Sequence, residues 1–260
     1  MIFPFYEQAP KEEVKSCNLC GSTRYALIAT VDRYGFDTSW VKCKECGLIF
    51  LSYRMTSEAY REFYEGGHYR RLFSELTNAP VNELTIQSDQ ARYARYLSKF
   101  LAPHINGASG GLLLDLGGST GTVSERLAMD FNLDATVVEP SAAEAQRARA
   151  NGLAVVQAPL LEFDPHGTHY DLVLLCRTVE HLLDIKAALA LIKGWLAPGG
   201  MLFLDFVTVP QMKIDHPYYL TPVTMQRYLV QAGFVVKAQR PAPDARHFNM
   251  LCGRGEDEHN

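Results

Sequence analysis

The sequence predicts an α/β fold, a mostly parallel sheet covered by helices, with a small cysteine-framed segment in front of it. Three observations carry this. From Gly110 onward, short apolar runs alternate with amphipathic stretches of helical length. The length of 260 residues suits one large α/β domain with a small appendage better than two equal halves. Four of the six cysteines fall in two identical CxxC spacings before residue 47.

The elements follow in order. Residues 1–54 form the cysteine-framed domain, rich in strand formers, and 55–104 read as helices with aromatic content that link the two parts or cover a site. Residues 105–260 form the α/β domain. Within it GLLLDL (111–116) is a buried strand and TVSERLAMDF (122–131) the following helix. ATVVEP (135–140) is the second strand. SAAEAQRARANG (141–152) is a helix with Ser141 as its N-cap and Gly152 as its stop. LAVVQ (153–157) and YDLVLLC (170–176) are the third and fourth strands. The 184–196 helix is ended by Pro198, Gly199 and Gly200, and MLFLDFVTV (201–209) is the fifth strand. A helix over 221–233 has Thr221 at its cap and Pro222 at its first position. FVVKAQ and HFNMLCG then form a closing antiparallel pair, and Cys176 and Cys252, in apolar surroundings, read as small core residues.

Composition narrows the function. A net charge of −4 and a pI near 6.1 disfavour a general nucleic-acid binder. No apolar run approaches the ~18 residues that cross a bilayer. The opening MIFPFYEQAP lacks the charged start and long apolar core of a secretion signal. The expectation is a cytoplasmic protein without membrane partners; nothing in the sequence predicts its oligomeric state.

Cys17-Asn-Leu-Cys20-Gly and Cys43-Lys-Glu-Cys46-Gly leave 22 residues between the inner cysteines. Two residues between thiols let both point at one ion, and two such turns supply four sulfurs to a tetrahedral Zn²⁺. Four protein ligands leave no open position, so the zinc predicted at Cys17, Cys20, Cys43 and Cys46 is structural. A redox CxxC would normally open a helix in a βαβ unit, and neither pair does. Between Lys11 and Arg54 there are seven basic and five acidic residues, a balance that favours a packing or substrate-shaping role over RNA binding.

LLLDLGGSTGTVSERLA announces a ligand site. A strand ends at Asp115, the chain turns through Gly117, Gly118, Ser119 and Gly121, and a helix begins. Such a turn lets a ligand lie directly against backbone N–H groups. The dinucleotide template G-x-G-x-x-G does not fit, since Ser119 takes the middle glycine and Gly121 comes one residue early. Glu139 ends the next strand, 22 residues after Gly117, where an acidic side chain can accept from both ribose hydroxyls. Both features point to an adenosine-containing ligand.

Read as D-x-G-x-S-x-G, the loop resembles motif I of the class I S-adenosylmethionine-dependent methyltransferases, with Ser119 replacing the second glycine. YDLVLLCRTVEHLLD and LAPGGMLFLDF resemble the family's fourth motif and the turn before its fifth strand, so the likeness spans nearly all of 110–252. The resemblance implies a Rossmann-like seven-stranded sheet of order 3-2-1-4-5-7-6, the seventh strand antiparallel. It implies S-adenosylmethionine as cofactor, bound by Asp115, Gly117, Gly118, Ser119, Gly121, Glu139, Pro140, Ala158, Cys176 and Arg177.

The cysteine segment, the Glu180-His181 pair and HPYYLTP (216–222) together resemble bacterial methyltransferases with an N-terminal zinc domain, best described among deoxysugar C-methyltransferases. Those enzymes carry a further C-terminal domain that this sequence lacks, and an aromatic hydroxyl where this sequence has Thr178. The likeness implies His181 as general base with Glu180 as its partner, and histidine suits proton removal near neutral pH. Related enzymes with E-x-x-E-H hold a catalytic metal, but Arg177 occupies the first glutamate position and would repel a cation. Arg177 instead favours an anionic acceptor. Tyr64, His68 and Tyr69 are candidates for a lid, and His216 for a substrate contact. The expected function is methyl transfer to a small molecule, sugar-like, a nucleotide sugar or a natural-product intermediate. The alternatives are a nucleic-acid or protein methyltransferase recognising its substrate through the zinc domain, and a non-catalytic adaptor of the same fold.

Overall fold

The structure is a computed structural model, which describes residues 3–77, 83–105, 110–209 and 212–255. The first part runs through α1 (Pro4–Gln8), β1 (Lys11–Glu13), β2 (Tyr25–Val31), β3 (Asp37–Cys43) and β4 (Ile49–Met55). Three helices follow, α2 (Ser57–Glu65), α3 (His68–Thr77) and α4 (Glu83–Leu101); part of the stretch expected to be helical, 78–82, lies outside the described residues. Thr56 caps α2 by accepting from the Ala59 N–H at 3.3 Å, supplying one of the partners that a helix start lacks.

The α/β part alternates as its apolar pattern dictates. β5 (Gly111–Leu116), α5 (Thr122–Phe131), β6 (Leu133–Val138), α6 (Ala142–Ala150) and β7 (Ala154–Val156) come first. Then follow β8 (Tyr170–Cys176), α7 (Ile185–Trp195), β9 (Leu196–Val207), β10 (Tyr218–Tyr219), α8 (Pro222–Gln231), β11 (Phe234–Pro241) and β12 (His247–Arg254). The large sheet has the order β11-β12-β9-β8-β5-β6-β7. In terms of its own seven strands this is 3-2-1-4-5-7-6, and β12 runs antiparallel to β9, as expected. The central strands β5 and β8 are buried on both faces, which is why they read as unbroken apolar runs.

Local expectations hold with adjustments. Thr221 and Thr224 form a reciprocal cap at α8, with Pro222 in its first turn. The 201–209 strand starts earlier, at Leu196, because the Pro-Gly-Gly stretch joins β9 rather than standing as a separate turn. Ser141 stands at the N-cap of α6, but its side chain makes no capping bond.

The small sheet is antiparallel, ordered β1-β4-β3-β2, and it is not self-contained. β10, contributed from beyond residue 200, pairs with β4 through Tyr218↔Phe50 and Tyr219↔Ile49. Cys17, Leu19, Cys43, Leu48 and Phe50 belong to the same apolar cluster as Leu114, Val173, Leu204 and Met225. The cysteine segment is therefore packed into the α/β body, where burial of its apolar side chains contributes to the stability of both. Among the described residues no helix is long and apolar enough to cross a membrane.

Candidate functional site

A cleft of about 720 Å³ opens at the C-terminal ends of β5, β6 and β8, under α2 and α3. In open parallel sheets this edge is where ligands bind. The turn after β5 forms its floor. Gly118 lies directly over the Asp115 carboxylate, and a Cβ there would come within 2.7 Å of Oδ2. Ser119 takes a left-handed φ of 52°, the conformation for which the glycine template is built. It is held there by its N–H donating to Glu139 Oε2 at 3.0 Å and its hydroxyl donating to Glu144 Oε2 at 3.0 Å. Arg70 of α3 reaches down to both, 3.1 Å from Glu144 Oε1 and 3.2 Å from Ser119 Oγ.

Two carboxylates face this loop. Glu139 also accepts from the Ser141 N–H at 2.9 Å. Each of its oxygens still has a free lone pair, so it can accept two further hydroxyls. Burial pushes its pKa up to about 7 against the two backbone N–H bonds that lower it. Asp115 is fully buried; Ser124 donates to Oδ2 at 2.6 Å, while Oδ1 has no partner. Its pKa rises to about 6 through desolvation. A buried orphan acceptor beside a glycine floor, with a two-acceptor carboxylate just after the next strand, fits an adenosine ligand that carries an amino-acid end.

Asp115, Gly117, Gly118, Ser119, Glu139, Pro140, Cys176 and Arg177 all line the cleft. Gly121 does not line it; it is the N-cap of α5 and packs against Leu153. Ala158 stands back from the lining, and Pro159 and Leu160 take that place. Arg177 adopts a left-handed φ of 56° and lies 4.9 Å from the centre of the Tyr93 ring. Its Nε is 3.4 Å from Asp205 Oδ2 and its Nη2 is 3.8 Å from Asp244 Oδ2. That charge is already engaged, with about half of the side chain exposed to the cleft mouth.

At the other end the short turn Val179–His181 presents His181. Its Nδ1 is 3.0 Å from the Asp215 carbonyl and 2.8 Å from the Tyr64 hydroxyl. A carbonyl only accepts, so this network places the proton on Nδ1 and leaves the Nε2 lone pair free. Tyr64 can then donate to the same carbonyl, 3.5 Å away. Desolvation lowers the His181 pKa, which keeps the ring neutral near pH 7. Tyr69 and His216 pack edge-on against the ring at 5.9 and 4.6 Å. Ligand-capable atoms of His181, Asp215 and His216 lie within 4.8 Å of one another.

Glu180 is not among the cleft-lining residues. Its side chain is buried, Oε2 has no hydrogen-bond partner, and burial raises its pKa to about 8. Tyr64 and the Asp215 carbonyl hold the histidine in the place expected for Glu180. Sequence reasoning missed Asp215, Arg70 and Tyr93, for which no motif offers a signal: one acts through its backbone, and the others meet the loop only through α3 and α4. His68 turns away, stacked on Phe5 at 4.0 Å.

The four expected cysteines converge outside the cleft lining. Cys17 Sγ and Cys46 Sγ are 3.4 Å apart, Cys20 Sγ and Cys43 Sγ 3.6 Å, and all four sulfurs lie within 4.8 Å. A tetrahedron with metal–sulfur bonds of ~2.3 Å has edges of about 3.8 Å, so the set fits Zn²⁺ and leaves no open position.

A glycine-floored cleft at the switch of this seven-stranded sheet defines a Rossmann-like methyltransferase fold. The family model described as "Methyltransferase domain" matches residues 86–239, more than half of the sequence, and the chain belongs to that family. No curated protein matches it. Solved structures do. DesVI of Streptomyces venezuelae is 16% identical with a TM-score of 0.55, covering 64% of this chain and 92% of that one. Magnesium protoporphyrin IX methyltransferase (ChlM) from Synechocystis PCC 6803, solved with bound SAM, is 15% identical with a TM-score of 0.57, covering 75% and 95%. The CcbJ methyltransferase from Streptomyces caelestis is 15% identical at 0.53, covering 62% and 89%. At these identities the likeness concerns the fold.

Proposed function

We propose that this chain transfers a methyl group from S-adenosylmethionine to a nucleophilic atom of a small-molecule acceptor, with His181 as general base. The single observation that carries the reading is the His181 imidazole, its Nδ1 held 3.0 Å from the Asp215 carbonyl, at the end of a cleft whose other end offers Glu139 and the Asp115 loop. When bound, the cofactor supplies an electrophilic methyl on a sulfonium centre. Glu139 accepts from the ribose hydroxyls, Asp115 and the backbone of 117–119 receive the amino-acid end, and Cys176 and Arg177 border it. His181 Nε2 takes the acceptor's proton, a contribution of typically ~10²–10⁴ in rate. Tyr64, Tyr69 and Phe73 cover the cleft from α2 and α3 and exclude water from the displacement.

The small-molecule class rests on the enclosure of the cleft under those helices and on the relatives above, one of which is named for a porphyrin substrate. Arg177 retains N–H donors at the mouth, so an acceptor carrying a carboxylate or phosphate would compete there with Asp205 and Asp244. Zn²⁺ on Cys17, Cys20, Cys43 and Cys46 is structural in this reading.

The test is calorimetric titration of S-adenosylmethionine into the zinc-loaded wild type and a Glu139→Ala variant. The expected result is micromolar binding that weakens about 10–100-fold in the variant, from loss of two hydrogen bonds to a charged acceptor. Absence of binding to the wild type would overturn the reading. With binding established, His181→Ala should retain cofactor affinity and lose methyl transfer to whichever acceptor turns over.

A further inference from the structure

His181 is held at two points, and both are tied to the first 64 residues as well as to the α/β domain that carries it. Behind it, the Asp215 carbonyl sits on a loop tied to the N-terminal part. The Ile214 carbonyl accepts from the Tyr60 hydroxyl at 2.8 Å, the Ile214 N–H donates to Asp32 at 3.3 Å, and the Arg33 N–H donates to the Met212 carbonyl at 2.9 Å. Tyr64 itself is on α2.

Ahead of it, the segment 182–184 connects His181 to α7. The Leu183 carbonyl accepts from the Tyr218 hydroxyl at 2.7 Å, and Arg54 of β4 adds a longer bond at 3.4 Å. Asp184 caps α7 by accepting from the Ala187 N–H at 3.0 Å, and the same oxygen, Oδ1, accepts from Asn18 Nδ2 at 3.0 Å. Asn18 stands between Cys17 and Cys20, and its own Oδ1 accepts from the Tyr228 hydroxyl at 3.0 Å. Its amide is thus oriented from both ends. Its backbone is fixed by the knuckle, in which the Cys17 carbonyl accepts from the Gly21 N–H at 2.7 Å and two flanking thiols join the four-sulfur cluster.

We infer that the cysteine knuckle is a positioning device for the catalytic loop, and that Asn18 is its positioning residue, setting through Asp184 the orientation of His181. This rests on His181 acting as the base. It goes beyond that reading by giving the zinc segment a role in catalysis that needs no contact with substrate. Side chains aimed into a cleft do little unless something holds the loop that bears them; here the knuckle, through Asn18, shares that task with Tyr218.

The pairing can be inverted. Asn18→Asp sets a second carboxylate against Asp184, and Asp184→Asn in the same chain restores an amide-to-carboxylate bond while asparagine still caps α7. The readout is nitrogen NMR of the His181 ring in zinc-loaded protein, assigned by loss of the signal in His181→Gln. Metal stoichiometry and S-adenosylmethionine affinity are measured on the same samples. In the wild type one ring nitrogen should carry the proton and the other none. In Asn18→Asp, with one zinc retained and cofactor affinity within about twofold, the two nitrogen shifts should converge as the ring loses its fixed tautomer. The double variant should separate them again. Unchanged shifts in Asn18→Asp, or convergence that the double variant does not reverse, would overturn the proposal. Asn18→Ala, which introduces no charge, is read in the same way if Asn18→Asp does not hold its metal. A wild type that binds no cofactor would sink the methyltransferase reading while leaving the ring signals to decide this one.

Discussion

Glu139 and Glu180 are two buried carboxylates with opposite prospects. Glu139 has two backbone donors and a pKa near 7, so its charge state changes near neutrality. A ligand that hydrogen-bonds the carboxylate favours the ionised form, and the affinity for S-adenosylmethionine should fall as pH drops through 7. Calorimetry at about pH 6 and about pH 8 should show this in the wild type, with the slope reduced in Glu139→Gln, which cannot titrate. Glu180 has a pKa raised to about 8 and an oxygen without a partner. A carboxyl raised on folding contributes stability below its unfolded pKa, and that contribution is lost as pH rises through the folded value. Glu180→Gln should therefore melt higher relative to wild type at about pH 8 than at about pH 5. An equal difference at both pH values would place the raised pKa in error. At this scale the sequence was only partly readable. Glu139 and His181 carry motif positions, whereas the Asp215 carbonyl that orients His181 has no side-chain signature at all.

Glycines decide the behaviour of the loop between β5 and α5. Gly121 has a φ of 76°, and a Cβ there would overlap Leu153 Cδ1 and stand 3.3 Å from Ala148 Cβ. Its role is to let α5 start against the α6–β7 connection, which explains why it matches the motif without lining the cleft. Gly121→Ala adds left-handed strain of ~1–2 kcal/mol to that overlap. A fall in Tm of roughly 5 °C is expected in thermal melts. A change below about 1 °C would mean that the loop relaxes freely. Ser119 shows the converse: a serine holds the left-handed conformation because Glu139 and Glu144 bond its amide and hydroxyl. The helices α2 and α3 bring Tyr64, Tyr69 and Arg70 over the cleft, so the aromatic cluster read from the sequence as a candidate lid does reach the site, except for His68.

The whole molecule is tied together by β10 pairing with β4 and by one apolar cluster that spans the cysteine segment and the large sheet. Scanning calorimetry of the zinc-loaded protein should therefore show a single transition. Chelation should lower its midpoint for the whole chain, since metal binding is linked to folding. Two separated transitions, one shifted by chelator and one not, would show instead that the parts fold independently.

The sequence by itself determined the α/β class, the glycine loop with its acidic partner, and the cysteine set, while the strand order came from the family that these motifs resemble. The first three are local patterns: apolar periodicity, turn residues and fixed spacings report on neighbours within a few residues. Tertiary structure alone decided what holds His181, where Arg177 spends its charge, and how Asn18 meets Asp184 across 166 positions of chain. Those contacts join segments remote in sequence, through backbone carbonyls and single side-chain bonds. Only the assembled fold, with strand pairing inside the large sheet and β10 pairing with β4, brings them within reach of one another.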